Sequence, residues 1–256
     1  MTELDPYIAL AQQLADISGD IARRYFRTRV AVDDKEDSSP VTVADREAEA
    51  AMRALIAKTF PTHGIIGEEH GREREGASEV WVLDPIDGTK SFITGRPLFG
   101  ALIALCRDGK PVVGVIDCPA LGERWVGAAG RPTTHLGKPV RTRACDSLAR
   151  AALYCTTPQM FKGGDFERFE RVRKTVKLPC YGGDCFAYGL VAAGFADLVI
   201  ESSLKIYDFA PYVPIFAGAG GGITDWSGRP LDLSSGDRVI AYGDARTHAQ
   251  ALELLA

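Results

Sequence analysis

One short segment, 81–92, combines acidic residues with a turn. A run of apolar residues ends at Asp84, and Asp87 follows three positions later, with Pro85 and Ile86 between them. Two carboxylates at this spacing in a turn can converge on a hard cation, with a backbone carbonyl between them as a further oxygen ligand. The segment is therefore a candidate divalent-cation site.

The residues that follow this acidic pair suit an anion. Gly88 and Thr89 begin a candidate helix, and the first amides of a helix favour an oxyanion such as phosphate. The same residues also fit an ordinary turn capped by aspartate and glycine. Taken alone, the segment does not decide between a site and a turn.

Further acidic residues lie at the ends of other predicted elements. Glu68 follows a short apolar strand, and Asp45 lies at the start of a helix, where the helix dipole alone would favour a carboxylate. Far downstream, Glu201 and Asp208 flank a connection between a strand and a helix. Each residue taken singly fits a solvated surface or a helix end. Their combination indicates several carboxylates brought to one place.

Cysteine and histidine do not form a metal-binding pattern. The six cysteines show no Cys-x-x-Cys spacing, and the four histidines, at positions 63, 70, 135 and 248, are scattered. We expect the cysteines to be reduced and mostly buried, where they behave as small hydrophobic side chains. Any metal is therefore expected to be held by oxygen.

The composition is that of an ordinary globular protein and excludes some classes of partner. The 256 residues carry 30 Lys+Arg against 34 Asp+Glu, a formal net charge of −4. Nucleic acid is not expected as a partner, because binding a phosphate backbone calls for a basic excess. No membrane association is expected, because no apolar run has the length of a membrane span. Residues 1–6 lack the basic and apolar regions of a signal peptide, so we expect a cytoplasmic protein.

Three motifs in order give the sequence a family resemblance. They are Gly-Glu-Glu at 67–69, Asp-Pro-Ile-Asp-Gly-Thr at 84–89, and Tyr-Asp-Phe-Ala at 207–210 followed by Ala-Gly-Gly at 219–221. Over nearly the whole chain the sequence resembles the inositol monophosphatase family of magnesium-dependent, lithium-sensitive phosphatases. The resemblance implies a layered α/β fold, an αβαβα sandwich. It also implies a homodimer, two to three Mg²⁺ ions and a small phosphorylated substrate.

Within that family the sequence is similar to the histidinol-phosphate phosphatase branch. The similar segments are 88–92, 181–188 and 205–209, whereas the typical inositol phosphatase has Thr-Asn-Phe after the Gly-Thr and Trp-Asp at the distal aspartate. The implied reaction hydrolyses L-histidinol phosphate to L-histidinol and phosphate, a step of histidine biosynthesis.

The resemblance also assigns metal ligands, which are Glu68, Asp84, Ile86 through its carbonyl, Asp87 and Asp208. Glu68, Asp84 and Ile86 would hold the first ion. Asp84, Asp87 and Asp208 would hold the second, and Glu68 with water would hold a weaker third.

The same resemblance implies a catalytic pair. The Thr89 hydroxyl, bonded to the Asp45 carboxylate, would orient the attacking water and accept its proton. A plain helix cap is the alternative role for Thr89.

Two sets of residues are implied to border the substrate. The first set surrounds the phosphate and comprises Ile86, Asp87, Gly88, Thr89 and Asp208. The second set surrounds the leaving group and comprises Gly182, Gly183, Asp184 and Glu201. The acidic Asp184 and Glu201 suit the ammonium and imidazole of histidinol better than a neutral polyol. A purely structural role for Glu201 is the alternative.

Other functions stay open on the sequence. The substrate alternatives are inositol 1-phosphate or another small sugar phosphate and, with a poorer fit to the downstream pattern, 3′-phosphoadenosine 5′-phosphate. A regulatory protein that binds the transcription machinery is the alternative from another class. A covalent aspartyl-phosphate mechanism is disfavoured. Haloacid-dehalogenase enzymes place their aspartates two positions apart near the N-terminus, whereas Asp84 and Asp87 are three apart in mid-chain.

Helices and strands in alternation must position these residues. Apolar periodicity predicts helices over 10–21, 42–60, 165–174, 185–193 and 208–217. Strands are predicted over 63–67, 80–83, 98–106, 112–117, 152–155, 198–201 and 239–242, and the polar stretch 33–40 is predicted to be a surface loop. We expect two halves. Residues 1–147 would carry most metal ligands, and residues 148–256 would carry the substrate-side residues and Asp208.

Overall fold

The structure, a computed structural model, describes residues 3–34 and 40–256. The described strands form an eight-stranded sheet, a five-stranded sheet and a separate two-stranded pair. Most of the polar stretch expected to be a loop, residues 35–39, lies outside the described residues.

The described helices are α1 (Asp5–Tyr25), α2 (Val43–Thr59), α3 (Thr89–Ile93), α4 (Asp165–Arg173), α5 (Asp184–Ala192), α6 (Ile206–Phe209), α7 (Tyr212–Ala219) and α8 (Ala245–Leu255). The strands are β1 (Val32–Asp34), β2 (Pro40–Thr42), β3 (Gly64–Gly67), β4 (Gly71–Glu73), β5 (Glu79–Asp87), β6 (Gly100–Arg107), β7 (Lys110–Cys118), β8 (Glu123–Ala128), β9 (Thr134–His135), β10 (Lys138–Pro139), β11 (Ala152–Cys155), β12 (Leu178–Tyr181), β13 (Leu198–Glu201), β14 (Gly222–Thr224) and β15 (Val239–Tyr242).

The larger sheet has the strand order β10-β9-β8-β7-β6-β5-β3-β4. Strand β5 lies inside it, parallel to β3 and antiparallel to β6. Most of β5 is buried, which explains its run of consecutive apolar residues. The expected pair of strands on either side of the turn at 108–109 is present as β6 and β7.

Helices α1 and α2 cover one face of the larger sheet. Their apolar side chains, such as Leu14 and Met52, form one core with Trp81 and Ile103 of the sheet. The periodicity that predicts these two helices therefore marks the side of each that faces the sheet.

Helices α5 and α7 fill the space between the two sheets. Tyr188 of α5 and Phe216 of α7 share a core with Leu102 of the larger sheet and Val199 of the smaller one. The neighbouring Leu198 and Ile200 belong to another core, shared with α4 and α8 on the outer side. Because successive strand residues face opposite sides, β13 is covered on both faces. The five layers are those of the expected αβαβα sandwich.

The smaller sheet has the order β12-β11-β13-β15-β14. The strands predicted at 152–155, 198–201 and 239–242 are confirmed with these bounds as β11, β13 and β15. We propose that the two halves divide after residue 147, because β3–β10 of the larger sheet precede this position and the strands of the smaller sheet follow it.

The single helix predicted over 208–217 is wrong. The structure has two helices there, α6 ending at Phe209 and α7 beginning at Tyr212, with Pro211 at the N-cap of α7. Proline has no amide hydrogen to continue the first helix, whereas its fixed φ suits the start of the second. Asp208 therefore lies in the short helix α6 and not in α7.

Candidate active site

Asp84 and Asp87 lie near the end of β5. In a regular strand two residues three apart point to opposite faces. Here the pairing of β5 with β6 is irregular between Asp84 and Asp87, and the Ile86 amide donates to the Asp84 carboxylate at 3.0 Å. This local irregularity turns both carboxylates to the same side, as β-bulges do near many active sites.

Asp208 joins this pair from the other half of the chain. Carboxylate oxygens of Asp84, Asp87 and Asp208 all lie within 4.8 Å of one another. Asp208 is held in place because its carboxylate accepts a hydrogen bond of 2.6 Å from the amide of Lys205, the N-cap residue of α6. Residues distant in sequence therefore form one acidic cluster.

The electrostatics of the cluster fit a divalent cation. Burial, followed by the neighbouring negative charges, raises the pKa of Asp84 and of Asp87 well above the usual range. Burial also raises the pKa of Asp208. Carboxylates enclosed this closely repel one another when ionised, and a bound divalent cation reverses that repulsion. An all-oxygen donor set is the one that Mg²⁺ prefers.

Glu68 lies beside the cluster. It follows β3 in a turn, and its amide donates to the Leu83 carbonyl at 3.2 Å, next to Asp84 in the chain. After burial, the charge of Glu68 is the next cause that raises the pKa of Asp84. The charge of Glu68 therefore acts directly on the acidic cluster.

Thr89 and Asp45 meet across the site. The Thr89 hydroxyl lies 3.4 Å from the Asp45 carboxylate and 3.2 Å from the Ile86 carbonyl. Asp45 is buried in the first turn of α2, where its other oxygen accepts hydrogen bonds from the amide and the hydroxyl of Thr42. The two residues expected to form a catalytic pair are therefore brought together.

Gly88 caps α3 in a conformation that favours glycine. Its φ is +81°, and a Cβ at this position would lie 3.0 Å from the Asp184 carboxyl carbon. Asp184 in turn accepts a hydrogen bond of 2.5 Å from the Ser91 hydroxyl. The start of α3 is thereby packed against the start of α5.

The loop before α5 borders the same region. The Gly182 carbonyl accepts a hydrogen bond of 2.7 Å from Arg96, and Gly183 directly precedes the helix. The Cys185 amide, in the first turn of α5, donates to the Asp87 carboxylate at 2.7 Å. The expected leaving-group residues are thus tied to the acidic cluster.

Glu201 lies at the end of β13 and is buried. One carboxylate oxygen accepts from the Thr156 amide at 2.7 Å and the other from the Tyr188 hydroxyl at 2.8 Å. Glu201 lines a cavity of about 130 Å³ together with Asp87, Asp184, Cys185, Tyr188, Asp208 and others. The acidic cluster therefore opens onto a small cavity with acidic walls.

Sequence reasoning did not single out several supporting residues. Tyr188 could have been predicted, because it lies one helical turn after Asp184 on α5 and therefore on the same side of the helix. Ser91 lies within the motif segment but has an ordinary sequence context. Thr156 contributes a backbone amide, so its side chain type gives no signal at all.

All six cysteines are free, and five of them are buried, as expected. No helix among the described residues has the length and apolar character needed to cross a membrane.

Comparisons with known proteins extend over the whole chain. The sequence model of the inositol monophosphatase family matches residues 3–256. A curated relative, the chloroplastic bifunctional phosphatase IMPL2 of Arabidopsis thaliana, is 51% identical over 99% of this chain and 76% of its own length. The histidinol-phosphatase of Chlorobaculum parvum is 34% identical over 94% of each chain. A solved structure, an inositol monophosphatase from Zymomonas mobilis, is 46% identical and covers 100% of this chain and 99% of its own, with a TM-score of 0.92.

Proposed function

The chain belongs to the inositol monophosphatase family, and on that premise we propose that it hydrolyses L-histidinol phosphate to L-histidinol and phosphate with the help of Mg²⁺. The observation that carries the choice of substrate is the acidic cavity beside the carboxylate cluster. The 34% identical relative named a histidinol-phosphatase supports the same choice.

The metal requirement follows from the family and fits the acidic cluster. We propose that Asp84, Asp87 and Asp208 hold Mg²⁺ together with Glu68 and the Ile86 carbonyl. When bound, Mg²⁺ supplies positive charge against the phosphate and lowers the pKa of water.

Thr89 is proposed to position the attacking water. When its hydroxyl donates to the Asp45 carboxylate, the Thr89 oxygen can take a proton from water as its own proton passes to Asp45. Burial raises the pKa of Asp45, which makes this carboxylate a stronger acceptor than an exposed aspartate. The amides of Gly88 and Thr89 then hold the phosphate at the start of α3.

The leaving group is proposed to occupy the cavity lined by Asp184 and Glu201. Burial raises the pKa of Glu201, and the donors from Thr156 and Tyr188 oppose this rise because they stabilise the charged form. When ionised, Asp184 and Glu201 attract the ammonium and imidazole of histidinol, whereas a neutral polyol can only donate hydrogen bonds to them. Gly182 and Gly183 would border the leaving group through their backbone, because a Cβ at these positions would meet Arg96 or Ala187.

A phosphate-release panel tests the substrate. Histidinol phosphate, inositol 1-phosphate and fructose 1,6-bisphosphate are compared at saturating Mg²⁺. We expect kcat/KM for histidinol phosphate to exceed the others at least about tenfold, equivalent to about 1.4 kcal/mol of transition-state binding. Equal values for the three substrates would overturn the proposed specificity while leaving the phosphatase activity in place.

Inositol 1-phosphate is the second candidate. The 46% identical solved structure is described as an inositol monophosphatase, and the 51% identical relative is described as bifunctional. Both substrates then have a named relative, so the panel is the decisive comparison. A regulatory binder of the transcription machinery has one named relative in its favour, the Nus factor SuhB of Pseudomonas aeruginosa, which is 30% identical over 92% of this chain.

We also propose that the protein is a cytoplasmic homodimer. The free, buried cysteines are compatible with a reducing compartment. Light scattering coupled to size-exclusion chromatography measures the oligomeric state directly, and a mass equal to that of one chain would contradict a dimer.

A further inference from the structure

Helix α2 holds a second acidic residue, Glu49, that the proposed mechanism does not use. Its side chain is completely buried. The Glu49 carboxylate accepts hydrogen bonds from two consecutive backbone amides, those of Glu69 at 2.6 Å and His70 at 3.1 Å. These amides belong to the turn that begins with Glu68.

Arg53 completes this contact from the next turn of α2. Its Nε donates to the Glu49 carboxylate at 2.7 Å, and its terminal nitrogen donates to the Gly71 carbonyl at the far end of the same turn. Glu49 and Arg53, here called the turn clamp, therefore bond the backbone both within and at the end of the Glu68 turn.

The strand end on the other side of Glu68 is also packed against the turn clamp. A Cβ at Gly67 would overlap the Glu49 carboxylate, so only glycine lets the strand approach this closely. Glu68 is thereby fixed through both of its chain neighbours, and its charge acts on Asp84.

We infer that the turn clamp is a positioning device that sets the Glu68 carboxylate for Mg²⁺. The inference rests on the proposed function, in which Glu68 is a metal ligand. Removing the turn clamp frees the turn. Ion binding must then also order Glu68, and the entropy cost of that ordering weakens the binding free energy of the ion. Outer partners of metal ligands commonly contribute ten- to a hundredfold to metal affinity.

The test measures Mg²⁺ binding to metal-free protein by isothermal titration calorimetry. Glu49→Gln keeps the size of the side chain but presents an amide group to backbone donors. We expect its Kd for Mg²⁺ to rise about ten- to a hundredfold. Because the remaining machinery is intact, kcat should return close to the wild-type value at saturating Mg²⁺. General structural damage would instead lower kcat at every Mg²⁺ concentration.

Glu47→Gln is the matched control. Glu47 lies on the same helix and bonds Arg24 and Tyr25 rather than the turn, so its Kd for Mg²⁺ should stay unchanged. If Glu49→Gln does not fold, Arg53→Met decides alone, since it removes the second half of the clamp from a partly exposed position. A folded clamp variant with the wild-type Kd would overturn the inference.

Glu68→Gln distinguishes the positioning role of the turn clamp from the proposed metal role of Glu68. Weaker Mg²⁺ binding in Glu68→Gln but not in the clamp variants contradicts the positioning role alone. Unchanged Mg²⁺ binding in Glu68→Gln contradicts the proposed metal role of Glu68 and, with it, the inference.

Discussion

The Thr89 hydroxyl has one proton and two acceptors within reach. It lies 3.2 Å from the Ile86 carbonyl and 3.4 Å from the Asp45 carboxylate. Both distances are long for a hydroxyl donor. The hydroxyl is therefore not committed to either partner, and it can turn toward Asp45 when a water occupies the site.

Substituting Thr89 tests this arrangement. Thr89→Val keeps the shape but removes the hydroxyl, so we expect kcat to fall about 10²- to 10⁴-fold, the range for loss of a proton-transfer group. Thr89→Ser keeps the hydroxyl and should lose far less. Steady-state phosphate release measures both. Equal losses in the two variants would assign Thr89 a packing role only.

Substituting Asp184 tests how the leaving group is recognised, and one substitution at this position is compatible with the local backbone conformation. Its φ is +44°, a conformation that asparagine tolerates better than alanine. Asp184→Asn keeps an acceptor for Ser91 but removes the charge. We expect kcat/KM for histidinol phosphate to fall about tenfold, or about 1.4 kcal/mol, with inositol 1-phosphate little affected.

Asp232→Asn is the control for that experiment, because this aspartate of the same half bonds Ser234 instead. It should leave both substrates unchanged. An Asp184→Asn variant that loses equally with both substrates would contradict a role in recognising the cation.

At the scale of elements, α2 has a special part because it carries both Asp45 and Glu49. The two residues are four positions apart, so they lie on the same side of the helix. Its start is fixed by Thr42, whose hydroxyl accepts from the Ala44 amide at 3.1 Å and donates to Asp45 at 2.6 Å. The cap of α2 thus also aligns the carboxylate that is proposed to act with Thr89.

Thr42→Ala removes this cap. We expect the free energy of unfolding to fall by about 1–2 kcal/mol, the usual cost of losing a buried N-cap. Urea denaturation measures the change. Thr59→Ala, at the other end of α2, is the matched control, since Thr59 bonds only the Leu55 carbonyl in an exposed position. A similar loss in both variants would mean that the cap has no special contribution.

Elements with a local signal were predictable, and those that depend on distant partners were not. β11, β13 and β15 follow from short apolar runs between turn residues. Pro211 could have predicted the helix break, but the apolar residues on both sides of it favoured one continuous helix. The pairing irregularity after Asp84 and the contact of Glu49 with the Glu68 turn depend on neighbouring strands, which periodicity does not describe.

At the scale of the whole molecule, the acidic cluster joins the two halves. Asp84 and Asp87 come from the larger sheet, whereas Asp208 comes from α6, after the smaller sheet has begun. A cation held by all three is a cross-link that exists only in the folded protein. Its binding therefore stabilises the fold as a unit.

Metal removal tests this cross-link. A chelator should abolish activity and lower Tm, and added Mg²⁺ should restore both. At a concentration a hundred times Kd the stabilisation is about 2.7 kcal/mol. Differential scanning calorimetry measures the shift. Activity that persists in the chelator would contradict the metal-dependent mechanism.

Asp84→Asn is the control for the metal effect. It removes one of the mutually repelling charges, so without metal its Tm should equal or exceed that of the wild type. The variant should show no rise in Tm with Mg²⁺ and should be inactive. A normal Mg²⁺ response would exclude Asp84 as a ligand.

The hydrogen bond from the Cys185 amide to Asp87 has a thermodynamic consequence. It ties the helix that begins with Asp184 to a carboxylate of the cation cluster, so neither can shift independently. Binding at the two places is then linked, and linkage is reciprocal. If the bound leaving group changes the affinity for the ion by some factor, the bound ion must change the affinity for the leaving group by the same factor.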